Sequence, residues 1–231
     1  FLEFMKSVLG EYDYKASNNV IFESKTGANP EVANFHQKRL LHYEEPNENR
    51  TIVGSFVKEV TGNLEINARK LYSNDTTTLL HGTHIACCNK KPNIGSNDEA
   101  IKNRLFDIKF GSVFVNDDAD VDPENHYYKV NRYFGENEFK IKYRCQMVHL
   151  LYHFLKQIRA TDFNIKLTAK LAQRRDLYLC DSDIFSSWFN QYYQKTDDRN
   201  NVVLLGDIFT AFKESEVYDN LSRSQKRNKY R

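Results

Sequence analysis

No apolar run in the 231 residues approaches the roughly 20 that a helix needs to cross a bilayer, and no signal peptide opens the chain. These absences exclude a helical membrane span within the sequence, and no membrane partner is expected. Cysteine is scarce. Its four positions, Cys87, Cys88, Cys145 and Cys180, fit no zinc spacing. The vicinal pair, at the end of an apolar stretch, reads as two small core residues, and a reducing compartment is the default. A large excess of one charge is also missing: 33 Lys and Arg stand against 31 Asp and Glu, so net charge argues neither for nor against nucleic acid. There is no internal repeat. The phosphate-cradling pattern G-x-x-x-x-G-K-[ST] is absent as well.

What is present is a globular composition, 40% hydrophobic and 28% charged, in a chain long enough for one or two domains. Phe1, Leu2, Met5, Val8, Leu9 and Tyr12 recur at helical spacing, with Gly10 as a stop. Asn29, Pro30 and Glu31 read as N-cap, first-turn proline and first-turn acid of a short helix through His36. Residues 40–43 form a buried-type strand. Ile52, Phe56, Val57 and Val60 give a second amphipathic helix, ending near Gly62. Residues 64–80 are strand-like at both ends with Ser73, Asn74 and Asp75 between them, which predicts a hairpin. Residues 83–88 make another strand. Asp98 can cap a helix to Arg104, and residues 105–110 read as a third buried strand. Strands alternating with helices predict a parallel α/β sheet.

Beyond residue 115 the texture changes. Residues 116–124 (NDDADVDPE) are an acidic, turn-rich linker. Apolar positions 141, 145, 148, 152 and 155 step by four and three, marking a helix over 138–158. Ile184, Phe185, Trp188, Phe189 and Tyr192 form another helical cluster that belongs in a core. Residues 196–201 are a polar break, 202–205 a short strand, and Asp207 a cap for a helix through Phe212. The last nine residues carry Arg223, Lys226, Arg227, Lys229 and Arg231 with no acid, a run that can contact DNA but is more often simply solvated.

Three stretches carry possible chemistry. RLLHYEEP (39–46) ends an apolar strand in Glu44 and Glu45. One such carboxylate can sit at Mg²⁺ while the next polarises an attacking water; alone, the pair is more commonly a solvated turn. THIACCN (83–89) ends a strand in Asn89, whose amide can hold water against a γ-phosphate, ligands of such sheets lying at that edge; the commoner fate is a turn. In NRLFDIKF (103–110), Arg104 offers a planar fork to phosphate oxygens, in trans if subunits assemble; otherwise it is a surface arginine at a helix end. Lys58, Arg69 and Lys70, between the acids and Asn89, can meet DNA phosphates from a hairpin or be ordinary surface cations. His149 and His153 share a helix face but lack a third ligand.

The order and spacing of NPEVAN, KRLLHYEEP, GSFVKEVTG, INARKLY, THIACCNKKP and DEAIKNRLFDIKF closely resemble superfamily 3 helicases, nearest to the primase-helicases of poxviruses and other large nucleocytoplasmic DNA viruses. The resemblance implies an AAA+-type P-loop α/β core at 1–115, lacking its first strand and phosphate loop. A helical region at 116–197 and the start of a winged-helix-like DNA-binding part at 198–231 follow. It implies Glu44 and Glu45 as Walker B acids and metal ligands, Asn89 as sensor and Arg104 as arginine finger. Lys58, Arg69 and Lys70 become DNA contacts. ATP and Mg²⁺ are the implied cofactors, and single-stranded DNA in the pore of a homo-oligomeric ring, a hexamer, the implied partner. The location implied is an intracellular viral replication site. Because a stretch like FLEFM directly follows the phosphate loop in that family, the chain is expected to begin just after it, within a larger protein, and to be inactive alone. The alternative is a non-catalytic DNA-binding or ring-assembly piece.

Overall fold

The computed structural model describes residues 1–23, 29–68, 77–96, 98–194, 196–198, 200–221 and 226. Helix α1 (Leu2–Leu9) ends where expected: Gly10 takes φ 55°, a left-handed conformation that glycine adopts without penalty, and its N–H closes on Lys6 O. Strand β1 (Asp13–Lys15) and helix α2 (Asn19–Phe22) follow. Helix α3 (Pro30–Ala33) begins as the sequence predicts, with the Asn29 side chain accepting the Val32 N–H, but it stops short of His36. Strand β2 (Leu40–Glu44) is buried on both faces through Tyr43, as a central strand of a parallel sheet must be. Then come β3 (Thr51–Ile52), α4 (Gly54–Gly62), β4 (Glu65–Asn67), β5 (Thr77–Leu79), β6 (Thr83–Cys87), β7 (Asn93–Ile94) and α5 (Glu99–Lys102).

The main sheet is parallel, in the order β1-β2-β6. β4 and β5 pair antiparallel, the expected hairpin, whose tip lies outside the described residues. Val20, Ile21, Phe22, Val32, Phe35, Leu41, Tyr43, Phe56, Val60 and Leu80 form the core around β2. Close packing is tightest at Gly82. A Cβ there would run into Leu41 Cδ1 and come within 3.2 Å of Lys38 O, so any larger residue would have to displace the Leu41 side chain.

Two expectations fail here. Residues 105–110 form no strand, and Phe106, Ile108 and Phe110 are exposed. The segment is fastened instead by Asp107, which receives Lys91 at 3.0 Å and Arg174 at 3.3 Å. Without a neighbouring backbone to accept its hydrogen bonds, an apolar alternation does not make a strand. The vicinal cysteines are not core residues either: Cys87 is exposed and Cys88 half-buried, because β6 is the last strand described in its sheet and turns little of its end inward.

Strand β8 (Val113–Val115) pairs parallel with β9 (Tyr127–Lys129) across the acidic segment, which is folded into two 3₁₀ turns capped by Asp117 and Asp122. Helix α6 (Asn137–Ala160) matches its predicted period but buries no residue. Helix α7 (Ala169–Asp181), not anticipated, is capped by Thr168 and packs Tyr178 and Leu179 on Ile94 and Ile101. Its Tyr178 hydroxyl donates to Pro92 O at 2.5 Å. Helices α8 (Ile184–Tyr192), α9 (Leu205–Lys213) and α10 (Glu216–Asp219) close a separate aromatic cluster around Trp188 and Phe212, as the sequence foretold for Trp188. Residues 202–204 are exposed and form no strand. Asp207 sits within the first turn of α9 rather than capping it.

Candidate functional site

Parallel strands deliver their C-terminal ends to one edge, and β2 and β6 end there in register, Glu44 opposite Cys87. Glu45 then leaves the sheet. Its N–H donates to Cys87 O at 2.8 Å, and its φ of 47° lies in the left-handed region that non-glycine residues rarely adopt. That turn aims its carboxylate at Asn89. The Asn89 side-chain amide donates to Glu45 Oε1 at 3.2 Å and the Asn89 backbone N–H reaches Oε2 at 3.4 Å. The two residues singled out in separate motifs, 44 positions apart, therefore meet.

Glu44 faces the other neighbour. Lys15, ending β1, donates to its carboxylate, and this hydrogen bond with the ammonium charge holds the Glu44 carboxyl below the usual carboxylate range. Beneath it lies a buried polar pair. His42 Nε2 is 3.2 Å from Asp13 Oδ2, and His42 Nδ1 stands 3.6 Å from Glu44 Oε1. Asn18 closes the same edge, its amide donating to the Glu44 carbonyl at 2.7 Å and to the Glu45 carbonyl at 3.4 Å. Among the described residues, the buried side-chain polar atoms without a hydrogen bond are Asp13 Oδ1, Asn18 Oδ1 and His42 Nδ1, the last of which still stands near the Glu44 carboxylate. Asn18 lies at this edge, His42 sits in the middle of β2, and Asp13 opens β1 opposite Leu40 at the other end of the strand.

Sequence reasoning missed Asp13, Lys15, Asn18 and His42. Three of them lie on or just after β1, a strand too short and too polar for periodicity to reveal. The apolar triplet Val20, Ile21 and Phe22 was the one signal nearby.

The cations are placed differently. Lys58 on α4 pairs with Asp98 at 2.8 Å. Asp98 caps α5 through the Ile101 N–H, and the Lys58 and Ile101 hydrogen bonds, with Ser96, pull its carboxyl down to about 2. Arg104 Nη1 donates back to Ala100 O at 2.6 Å, and Nη2 lies against Gly62, where a Cβ would approach to 3.0 Å. No hydrogen bond or ion pair among the described residues joins Lys58 or Arg104 to Glu44, Glu45 or Asn89. Arg69, Lys70 and, Lys226 excepted, the basic tail lie outside the described residues. His153 meets Gln157 at 3.0 Å, and no group of three or more His, Cys, Asp or Glu among the described residues is placed to hold a metal. A Mg²⁺ ion, which keeps waters and shares one or two carboxylates with substrate phosphates, fits the hard oxygen donors at Glu44 and Glu45. No helix among the described residues is long and apolar enough to cross a membrane.

No family model matches the chain. It is 24% identical over 225 residues, 92% of its length, to "Putative helicase L207/L206" of Acanthamoeba polyphaga mimivirus. It is 34% identical over 118 residues, 48% of its length, to "Putative helicase 022R" of Frog virus 3. The matches span 23% and 12% of those relatives. The chain is thus distantly similar to helicase-like proteins of viruses and corresponds to less than a quarter of either.

Proposed function

We propose that these residues form part of an ATP-driven DNA helicase of the superfamily 3 type, with an AAA+-like core assembled as a homo-oligomeric ring of six. The single observation that carries this reading is the Asn89 amide on the Glu45 carboxylate at the C-terminal edge of a parallel sheet, where ligands of such sheets bind. Resemblance to helicase-like viral proteins supports it.

In this reading Glu44 and Glu45 face the phosphates of ATP. Glu44 and Glu45 would hold Mg²⁺, which would supply charge neutralisation to the nucleotide phosphates. Glu45 orients and polarises the attacking water, and Asn89 fixes both the Glu45 carboxylate and that water against the γ-phosphate. Lys15 neutralises Glu44 until nucleotide and cation arrive. Arg104 serves the phosphates of a neighbouring subunit, leaving its Ala100 contact to do so. Arg69, Lys70 and, once released from Asp98, Lys58 face single-stranded DNA. The phosphate-cradling loop is not among the 231 residues, so nucleotide capture requires one from outside them.

The test joins the chain behind a segment ending in G-x-x-x-x-G-K-[ST] and compares it with its Glu45→Gln variant. Turnover of Mg-ATP should fall by about 10²-fold or more, as expected for loss of a general base, while nucleotide affinity is kept. Hydrolysis at near the unsubstituted rate would remove Glu45 from the mechanism.

A further inference from the structure

Helix α6 is about 36 Å long, yet only its first turns are covered. Phe139 packs its ring on Phe4 of α1 at 5.4 Å and on Tyr133 and Phe134 of the preceding turn. Lys140 pairs with Glu3 at 2.7 Å. Beyond Cys145 the helix projects with Val148, Leu151, Tyr152 and Leu155 exposed. These four stand at i, i+3, i+4 and i+7, one continuous apolar stripe. Such a stripe on water is a contact surface without its partner.

The charge around it says what kind of partner. Between residues 137 and 160 there are five Lys and Arg, at 140, 142, 144, 156 and 159, against the single acid Glu138. Lys156 and Arg159 flank the far end of the stripe and form no salt bridge among the described residues. Two α6 helices laid together would oppose cation to cation, which disfavours a symmetric α6–α6 contact. A nucleic-acid backbone would satisfy the cations but leave Val148, Leu151 and Leu155 uncovered.

The matching surface is on the same chain. The β8–β9 unit exposes Phe114, Tyr127 and Tyr128, and between its strands stand Asp117, Asp118, Asp120, Asp122 and Glu124 with no cation among them. Asp117 and Asp122 are spent as turn caps and Asp118 on Lys129. Asp120 and Glu124 are exposed and form no salt bridge among the described residues. We infer that the β8–β9 unit of one copy docks on the projecting part of α6 of a second copy, aromatic on aliphatic, with Asp120 and Glu124 against Lys156 and Arg159. The contact is head-to-tail, each copy offering one surface of each kind, so it closes a ring or extends a chain. It names a surface for the ring in the reading above and rests on that reading only for closure; self-association needs no nucleotide.

The experiment uses the full chain without nucleotide. Sedimentation at low and high salt should show assemblies that weaken as salt rises. Lys156→Glu with Arg159→Glu in one variant, and Asp120→Lys with Glu124→Lys in another, should each give monomers of unchanged helix content. Mixing the two restores opposite charge at both kinds of junction and should restore assembly. A chain that stays monomeric, an assembly that both double variants leave intact, or a mixture that does not reassemble would each overturn the inference. So would α6 amides that a single-stranded oligonucleotide protects from exchange but a second copy does not. Assembly that persists through the charge reversals refutes this surface while leaving the ring itself standing.

Discussion

Glu45 and Asn89 are joined by a 3.2 Å hydrogen bond, made with Glu45 holding φ at 47°. A left-handed conformation costs a residue with a Cβ about 1–2 kcal/mol, and such strain persists where the surroundings over-determine it, commonly at functional sites. Replacing Glu45 with Gly relieves that strain but adds about 0.5–1 kcal/mol of unfolded-chain freedom and loses a side-chain hydrogen bond, so stability should change by less than about 1 kcal/mol. Urea unfolding of the two chains checks this. A loss of more than about 1 kcal/mol would mean that the Asn89 contact, not function, sets the Glu45 conformation.

Arg104 is tethered to Ala100 O in the single chain, so a role across subunits requires it to be released on assembly. In the chain joined to a phosphate loop, Arg104→Ala should keep ATP binding but lose roughly 10³-fold or more in turnover, the usual range for a finger supplied in trans. Mixing it with Glu45→Gln should recover part of the activity, since some interfaces then pair an intact acid with an intact arginine. Mixed assemblies without recovery would assign Arg104 to its own helix end alone.

Gly82→Ala tests the packing between β6 and β2. The new methyl would meet Leu41 at a distance no real contact allows. Leu41 is fully buried, so its side chain can yield only by shifting within a packed core. Overpacking of this kind costs roughly 1–3 kcal/mol, to be read as a drop in the urea midpoint with unchanged slope. Gly111→Ala, where nothing lies within 4 Å of the added carbon, is the control and should move the midpoint little.

His84 supplies a pH signature. Its ring stacks on Tyr43 and shares a 3.0 Å hydrogen bond with the Tyr43 hydroxyl. Burial pushes its pKa down from 6.5 to about 4. Because the folded value is depressed, the unfolded chain takes up the proton first. The stability is whole above pH 6.5 and declines as pH falls from there to about 4, by an amount on the order of 3 kcal/mol at most. His84→Phe should flatten that part of the profile. An unchanged slope between pH 6.5 and 4 in the variant would place the titrating group elsewhere.

The legible parts of the fold were those fixed by local chemistry. Gly10 as a stop, Asn29 and Asp98 as caps, the periods of α1, α4 and α6, and the apolar block of β2 all follow from residues within one or two turns of each other. The order of RLLHYEEP and THIACCN was enough to propose that Glu45 and Asn89 share a site. The misreadings have a common cause. Residues 105–110 and 202–204 have strand composition but no paired backbone beside them, while β1, with Asp, Tyr and Lys, has little strand composition and pairs with β2. Pairing is a property of neighbours in space, and a short segment carries almost no trace of it.

The sequence by itself determined where helices start and stop, which strand is buried on both faces, and which carboxylates and amide stand at strand ends. Caps, turns and apolar periods act over a few residues, so they are written in consecutive letters. Only the tertiary structure decided that β1 lies beside β2, bringing Lys15 to Glu44 and Asp13 to His42, that Lys58 is spent on Asp98, and that α6 carries its apolar stripe into solvent. Each of these depends on which surfaces meet across 29, 40 or more residues, and the free energy of such meetings comes from packing that no local pattern encodes.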